Sequence, residues 1–275
     1  MNKLLKIASV VAISLALPLA AQAHRGWIVP AATVLSGDDP WVTFDAAISN
    51  DIFHADHAPM RLNGVSAIGP DGKAVELQNG ATGKYRSTFD LNLTQRGTYK
   101  VFTASGGLNA RWETEDGERR FWPPRGQTPD AAEFAKAVPA KAKNLEVSQS
   151  SRRMETFVTA GSPSDTVLKP TNVGLELVPV THPNDLFAGE KAEFGLIIDG
   201  QPAAGAKVTV IPGGMRYRNG QDAIEVETDK NGKFAITWPA AGLYWLSASY
   251  RDNQAKVPAT SRSGSYVATF EVLPE

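Results

Sequence analysis

From Trp27 to Thr103 the chain reads as short alternations of apolar and polar residues, separated by Gly, Pro, Asn and Asp. In Trp41–Ile48, for example, Val42, Phe44 and Ala46 alternate with Thr43 and Asp45. A period of two gives a strand one buried and one solvated face. Ser66–Ile68 runs into the turn Pro70-Asp71-Gly72-Lys73, whose Asp-Gly pair suits a hairpin, and Tyr99–Thr103 reads as a further strand. Strand signals that recur about every ten residues have the spacing of a β-sandwich.

The segment from about Gly106 to Arg153 breaks this rhythm and reads as an insertion. It carries Trp112, the charged stretch Glu113–Arg120 and the run Phe121-Trp122-Pro123-Pro124. Within it, Thr128 as cap and Pro129 in the first turn predict a short helix over Ala131–Ala137 that Pro139 limits. Strand character returns at Met154–Thr159.

A second β pattern begins at Leu175. Leu175–Val180 and Glu193–Ile198 read as strands, and Asp199-Gly200 as a turn. The runs Gln201–Val210, Thr228–Thr237 and Pro239–Leu246 then resemble the small Ig-like, transthyretin-like sandwiches, and Ser265–Val272 supplies a last alternating strand. The expected fold is therefore all-β: two Ig-like/transthyretin-like β-sandwich domains over 24–172 and 173–275. The first carries the long insertion at about 106–153 with its short helix, and Lys169-Pro170-Thr171-Asn172 reads as the linker.

The N-terminal 1–23 have a different character. Lys3 and Lys6 precede an apolar run, Ile7–Ala20, that ends in Ala21-Gln22-Ala23. That run is too short to span a bilayer and matches a secretory signal peptide cleaved after Ala23, which predicts an exported, periplasmic protein that does not span the membrane. The 275 residues include no cysteine, which excludes disulfides, thiol nucleophiles and thiolate metal sites. Removing Lys3 and Lys6 from the 28 basic side chains leaves 26 against 29 acidic ones, a net charge of −3. That balance argues against nucleic acid as a partner.

Chemistry then rests on four histidines. His54 and His57 are three residues apart in a segment leaving a strand, so a turning backbone can aim both rings at one ion. Asp56 or Asp51 would add an oxygen or orient a ring. A solvated polar loop is the alternative. Cleavage after Ala23 would make His24 N-terminal, so that its α-amino group, with an ordinary pKa of about 8, and its ring could chelate together. The resulting metal set is His24, His54, His57 and Asp56. It is rich in nitrogen, which suits Cu(II) or Ni(II) and less specifically Zn or Co. His182 lies in a turn of the second half and reads as a surface residue.

Trp112, Phe121 and Trp122, beside Arg111, Arg119, Arg120 and Arg125, could line a cleft for an organic ligand or bury themselves under a long loop. Nucleophile elbows, phosphate loops and dinucleotide glycine patterns are absent from the sequence. No catalytic residue and no enzymatic activity are expected.

The leader ending directly at His24, the run His24-Arg25-Gly26-Trp27-Ile28-Val29-Pro30, the segment Arg153–Gly161 and Leu175–Pro179 together resemble the exported proteins of domain-of-unknown-function family 4198. The resemblance spans the chain after the leader. It implies a nickel or cobalt uptake role, with an outer-membrane receptor or membrane transporter as partner, and matches His24 to the family's histidine after the signal. Many members carry an acidic or other residue where His182 stands, which counts against a role for it. The expected function is periplasmic binding of a transition-metal ion or its chelate for delivery to a transporter. The alternatives are an exported structural or adhesive module without metal, and a copper-dependent oxidative enzyme built on the N-terminal histidine.

Overall fold

The computed structural model describes residues 24–124 and 126–275. The expected signal peptide, 1–23, and Arg125 lie outside the described residues. The fold is all-β, with one short helix at Ala131–Ala137. That helix spans the expected residues, but its cap is Asp130, whose carboxylate accepts a hydrogen bond from the Ala132 amide at 2.9 Å.

Three sheets form two sandwiches. One antiparallel sheet orders Arg25–Pro30, Trp41–Ser49, Ser87–Asn92 and Gln78–Thr82. Its inner face packs Ile28, Phe44, Phe89 and Leu91 against Tyr99, Val101 and Val158 of the central sheet. Phe44 and Phe89, opposite each other on neighbouring strands, stack with ring centroids 4.9 Å apart. A smaller sheet built on Leu175–Pro179, Lys191–Ile198 and Lys233–Thr237 covers the other end of the central sheet. There Phe194, Leu196 and Trp238 meet Tyr244, Tyr266 and Phe270. The Asp199-Gly200 hairpin joins paired residues Ile198 and Gln201, and both turn residues have positive φ, 49° and 79°. Gly at the second position fits this geometry without cost.

The central sheet is continuous across the expected boundary. Ser148–Thr156 of the first half pairs in parallel with Ser261–Thr269 at the end of the second. One ten-stranded sheet carries two cores, and the core of the second half takes in Phe157 and Val167 from the first. The stretch expected as a linker is tied down: the Thr171 amide and hydroxyl donate to Glu176. Below them, Lys100, Arg153, Glu155 and Glu176 form a buried charge network at the seam.

The insertion continues two core strands. Gly97–Glu113 and Lys143–Ala160 extend as a long antiparallel ribbon, and Arg119–Trp122 adds a third strand near its tip. A separate small core of Ala110, Trp122, Val138 and Val147 fixes the helix to it, with Trp122 edge-on to Phe134 at 5.1 Å.

Both halves close the same corner with the same device. In Gly97-Thr98-Tyr99 the tyrosine hydroxyl donates to the Gln95 carbonyl at 2.9 Å and accepts from the Gln95 amide at 2.8 Å. In Gly242-Leu243-Tyr244 the hydroxyl donates to the Ala240 carbonyl at 2.8 Å. These are tyrosine corners of the Ig-like type. Among the described residues, no helix is long and apolar enough to cross a membrane.

Candidate metal centre

His24 lies just beyond the first strand, whose Arg25 stands opposite Ser49. The chain leaves the Trp41–Ser49 strand at Ser49 and pairs with it again at Ala58, on the other edge from Arg25–Pro30. Residues 50–57 must therefore cross the end of that strand. This crossing brings His57 to His24: the rings stack with centroids 3.6 Å apart and planes 8° from parallel. A metal bonded to imidazole sits in the ring plane at about 2.0–2.1 Å. Shared ligation hence requires one ring to turn about its side-chain torsions.

The crossing loop is held from below. Trp27 Nε1 donates to Ser49 Oγ at 2.7 Å, and Ser49 Oγ donates to the Asp51 carbonyl at 2.6 Å. Ile52 is buried, and Phe53 takes a left-handed backbone, φ 58°, to place its ring edge-on to Trp27 at 5.8 Å. Trp27, Ala47 and Ile52 pack on Ile211, Met215 and Trp245, so the loop rests on both halves. Arg25 spans the same seam, donating to Gln221 Oε1 at 3.1 Å and lying over Trp245, whose Nε1 donates to the Gly26 carbonyl at 3.0 Å. A Cβ at Gly26 would lie 2.6 Å from Cε of Met154, the flexible end of a central-sheet side chain that would have to shift.

The other expected ligands have different partners. Arg216 of the second half donates from Nη1 to His54 Nε2 at 2.8 Å. Arginine has no acceptor, so the His54 proton resides on Nδ1 and the Nε2 lone pair is engaged. Asp56 accepts from the Asn50 amide at 2.9 Å and from Asn50 Nδ2 at 3.4 Å. Burial pushes its carboxyl up, but the Asn50 bonds work against this and the carboxyl stays below the ordinary range. It braces the loop and orients no ring directly. Asp51 offers its carbonyl to Ser49 and His54. Among the described residues, no group of three or more His, Asp or Glu is placed to hold a metal. The structure unites His24 with His57 and leaves His54 on Arg216.

His182 is half-buried at the seam and far from exposed-turn behaviour. Its Nδ1 accepts from the Asn184 amide at 3.1 Å, and its Nε2 lies 3.0 Å from Thr98 Oγ1. With Nδ1 accepting, Nε2 carries the proton and donates. Desolvation lowers its pKa, against the opposing pull of Ser164, Asp165 and Asp185.

Of the insertion aromatics, Trp122 is buried and Phe121 is 64 % exposed. Phe121 and Trp112 line a cleft of about 530 Å³ with Arg111, Arg119 and Glu113, whose charges are largely paired within the ribbon. Arg216 was not foreseeable as a neighbour of His54, for it lies 162 residues away with no local signal.

Residues 21–252 match the model of DUF4198, a domain of unknown function. No curated protein matches the chain. Among solved structures, the D0–D1 domains of intimin are 10% identical, covering 90% of this chain and 97% of that one, with a TM-score of 0.23. An ICAM-5 D1–D4 ectodomain fragment is 9% identical over 91% of this chain and 51% of its own, with a TM-score of 0.22. The FN1–FN3 domains of chicken CNTN1 are 6% identical over 90% and 97%, with a TM-score of 0.23.

Proposed function

We propose that this chain, which belongs to the DUF4198 family, is an exported carrier that binds a divalent transition-metal ion, bare or chelated, and passes it to a membrane transporter or receptor without chemical transformation. The observation that carries this reading is the contact of the His24 and His57 rings, 3.6 Å between centroids, from segments about 33 residues apart. Both rings stand at the surface or next to it, where an ion can enter. Cleavage after Ala23 would add the α-amino nitrogen of His24 to the set. Three nitrogens of this kind suit Ni(II), Cu(II) or Co(II). His54 joins them only by giving up Arg216.

Protons compete with metal for the same lone pairs, so affinity falls as pH drops. Calorimetry with Ni(II) and Cu(II) tests the reading. Protein beginning at His24 should bind one equivalent, and His57→Ala or a single residue added before His24 should each weaken binding at least tenfold. Equal binding by all three would overturn the shared site. Failure of the native form to bind, with a protein partner recovered by crosslinking, would favour an adhesive module.

A further inference from the structure

Building on the metal-binding reading, we infer that the metal is taken as an anionic carboxylate chelate, whose organic part sits in the cleft beside His54. This cleft, of about 460 Å³, is lined by Phe53, His54, Ala55, Lys84, Tyr85 and Arg86. Its volume lies in the range of small-molecule sites, about 300–1,000 Å³, and exceeds what a lone ion needs.

The chemistry of the rim selects the occupant. Phe53, Ala55 and Tyr85 provide apolar walls, while Lys84, Arg86 and Arg216 surround His54 with positive charge. Arg86 is matched by Asp45, 3.4 Å away. Among the described residues, Lys84 and Arg216 form no ion pair with a carboxylate. Lys84 lies over the Tyr85 ring at 5.1 Å, and the hydrogen-bond partner of Arg216 is the neutral His54 ring. Of the acids on the same loop, Asp56 is occupied by Asn50. Two cations without counter-charge beside an apolar wall fit a small polycarboxylate, which guanidinium groups bind through paired oxygens.

The His24 and His57 pair supplies the complementary ligands. Two imidazoles and one amine leave coordination positions of Ni(II) or Cu(II) unfilled, and carboxylate oxygens are suitable ligands for them. The loop 51–57 contributes to both places: His57 to the ring pair and Phe53, His54 and Ala55 to the cleft. The same loop thus carries a metal-binding ring and one wall of the basic cleft.

Calorimetry on protein beginning at His24 separates this inference from the reading beneath it. The probes are Ni(II) chloride, the one-to-one Ni(II)–citrate complex, and citrate alone, each titrated into the native protein and the K84A/R216A double variant. Far-ultraviolet circular dichroism and the urea midpoint verify that the variant is folded; single R216K replaces it if it is not. Ni(II)–citrate should bind the native protein at least tenfold more tightly than it binds the variant, while bare Ni(II), for which the loss of Arg216 frees His54 Nε2, should bind the variant no more weakly than the native protein. Equal Ni(II)–citrate binding in both proteins, or citrate that strips the metal without a ternary complex, would overturn the chelate while leaving the metal site standing. No binding of either nickel form to native protein would overturn both.

Discussion

Arg153 places Nη2 3.3 Å from Glu176 Oε1, joining the long ribbon strand to the first strand of the second half inside the protein. Its Nη1 lies 3.2 Å from Glu155, which also takes a hydrogen bond from the Tyr266 hydroxyl at 2.8 Å and stands 3.6 Å from Lys100. Burial, and then the charge of Glu155, drive the Tyr266 hydroxyl well above its ordinary pKa. Each cation here has an anion, and removal of one member leaves a buried charge uncompensated. Glu176→Ala should cost about 3–5 kcal/mol in urea denaturation. A loss below about 1 kcal/mol would mean that water reaches Arg153 in the variant.

His182 makes stability depend on pH in a defined window. Its folded pKa is depressed, chiefly by desolvation, so the unfolded chain takes up the proton first. The stabilisation is complete above the ordinary value of about 6.5 and is lost as pH falls from there through the folded-state value. Protonation at Nδ1 would also remove the acceptor of the Asn184 amide. The urea midpoint should fall between pH 7 and 5.5, and His182→Gln should flatten that slope. An unchanged slope would assign the pH dependence to other groups.

The two tyrosine corners offer a matched pair of probes. Tyr99→Phe and Tyr244→Phe each delete a hydroxyl bridging the carbonyl four residues upstream. Each should cost about 0.5–1.5 kcal/mol, and because they sit in different cores the double variant should show the sum. Additivity is read from urea curves of the three variants. A double variant much less stable than the sum would show that the cores are coupled through the shared sheet.

Trp27→Phe tests whether the crossing loop is held from beneath. The change retains an apolar ring but removes the donor to Ser49 Oγ, which in turn steadies Asp51. A stability loss of about 1–3 kcal/mol is expected. On the metal-binding reading, Ni(II) affinity should also fall several-fold in calorimetry, although Trp27 offers no ligand. Unchanged affinity would show that His57 is positioned without this bond.

Strand alternation in Trp41–Ile48, the Asp199-Gly200 turn and the helix at Ala131–Ala137 were legible because each depends on near neighbours. A period of two tells which face of a strand is buried but not which strand lies at its edge. The parallel pairing of Ser148–Thr156 with Ser261–Thr269 was therefore hidden, and polar Ser148–Ser151 opposite Gly106-Gly107 disguised core strands as an insertion. Arg153 and Glu155 alternate in register with buried Phe157, which places their charged heads on the inward face of the strand. For the candidate site, the three-residue spacing aimed His54 and His57 at one ion, whereas His57 stacks on His24 and His54 bonds Arg216. Spacing could not reveal that Arg216 engages His54 or that Asn50 engages Asp56.

The parallel seam has a consequence for the order of assembly. Ser261–Val272 lies in the middle of the large sheet, between Lys143–Ala160 and Gly242–Asp252, yet among the described strands it is the last to be synthesised. Until it arrives, the ribbon strand presents an open edge of backbone amides and carbonyls, and the seam-spanning contacts wait with it. Folding must then close around a long-range strand insertion, the slow kind of step. A nascent chain released or cut near residue 172 would expose that same edge to other copies and should form aggregates rather than a soluble half.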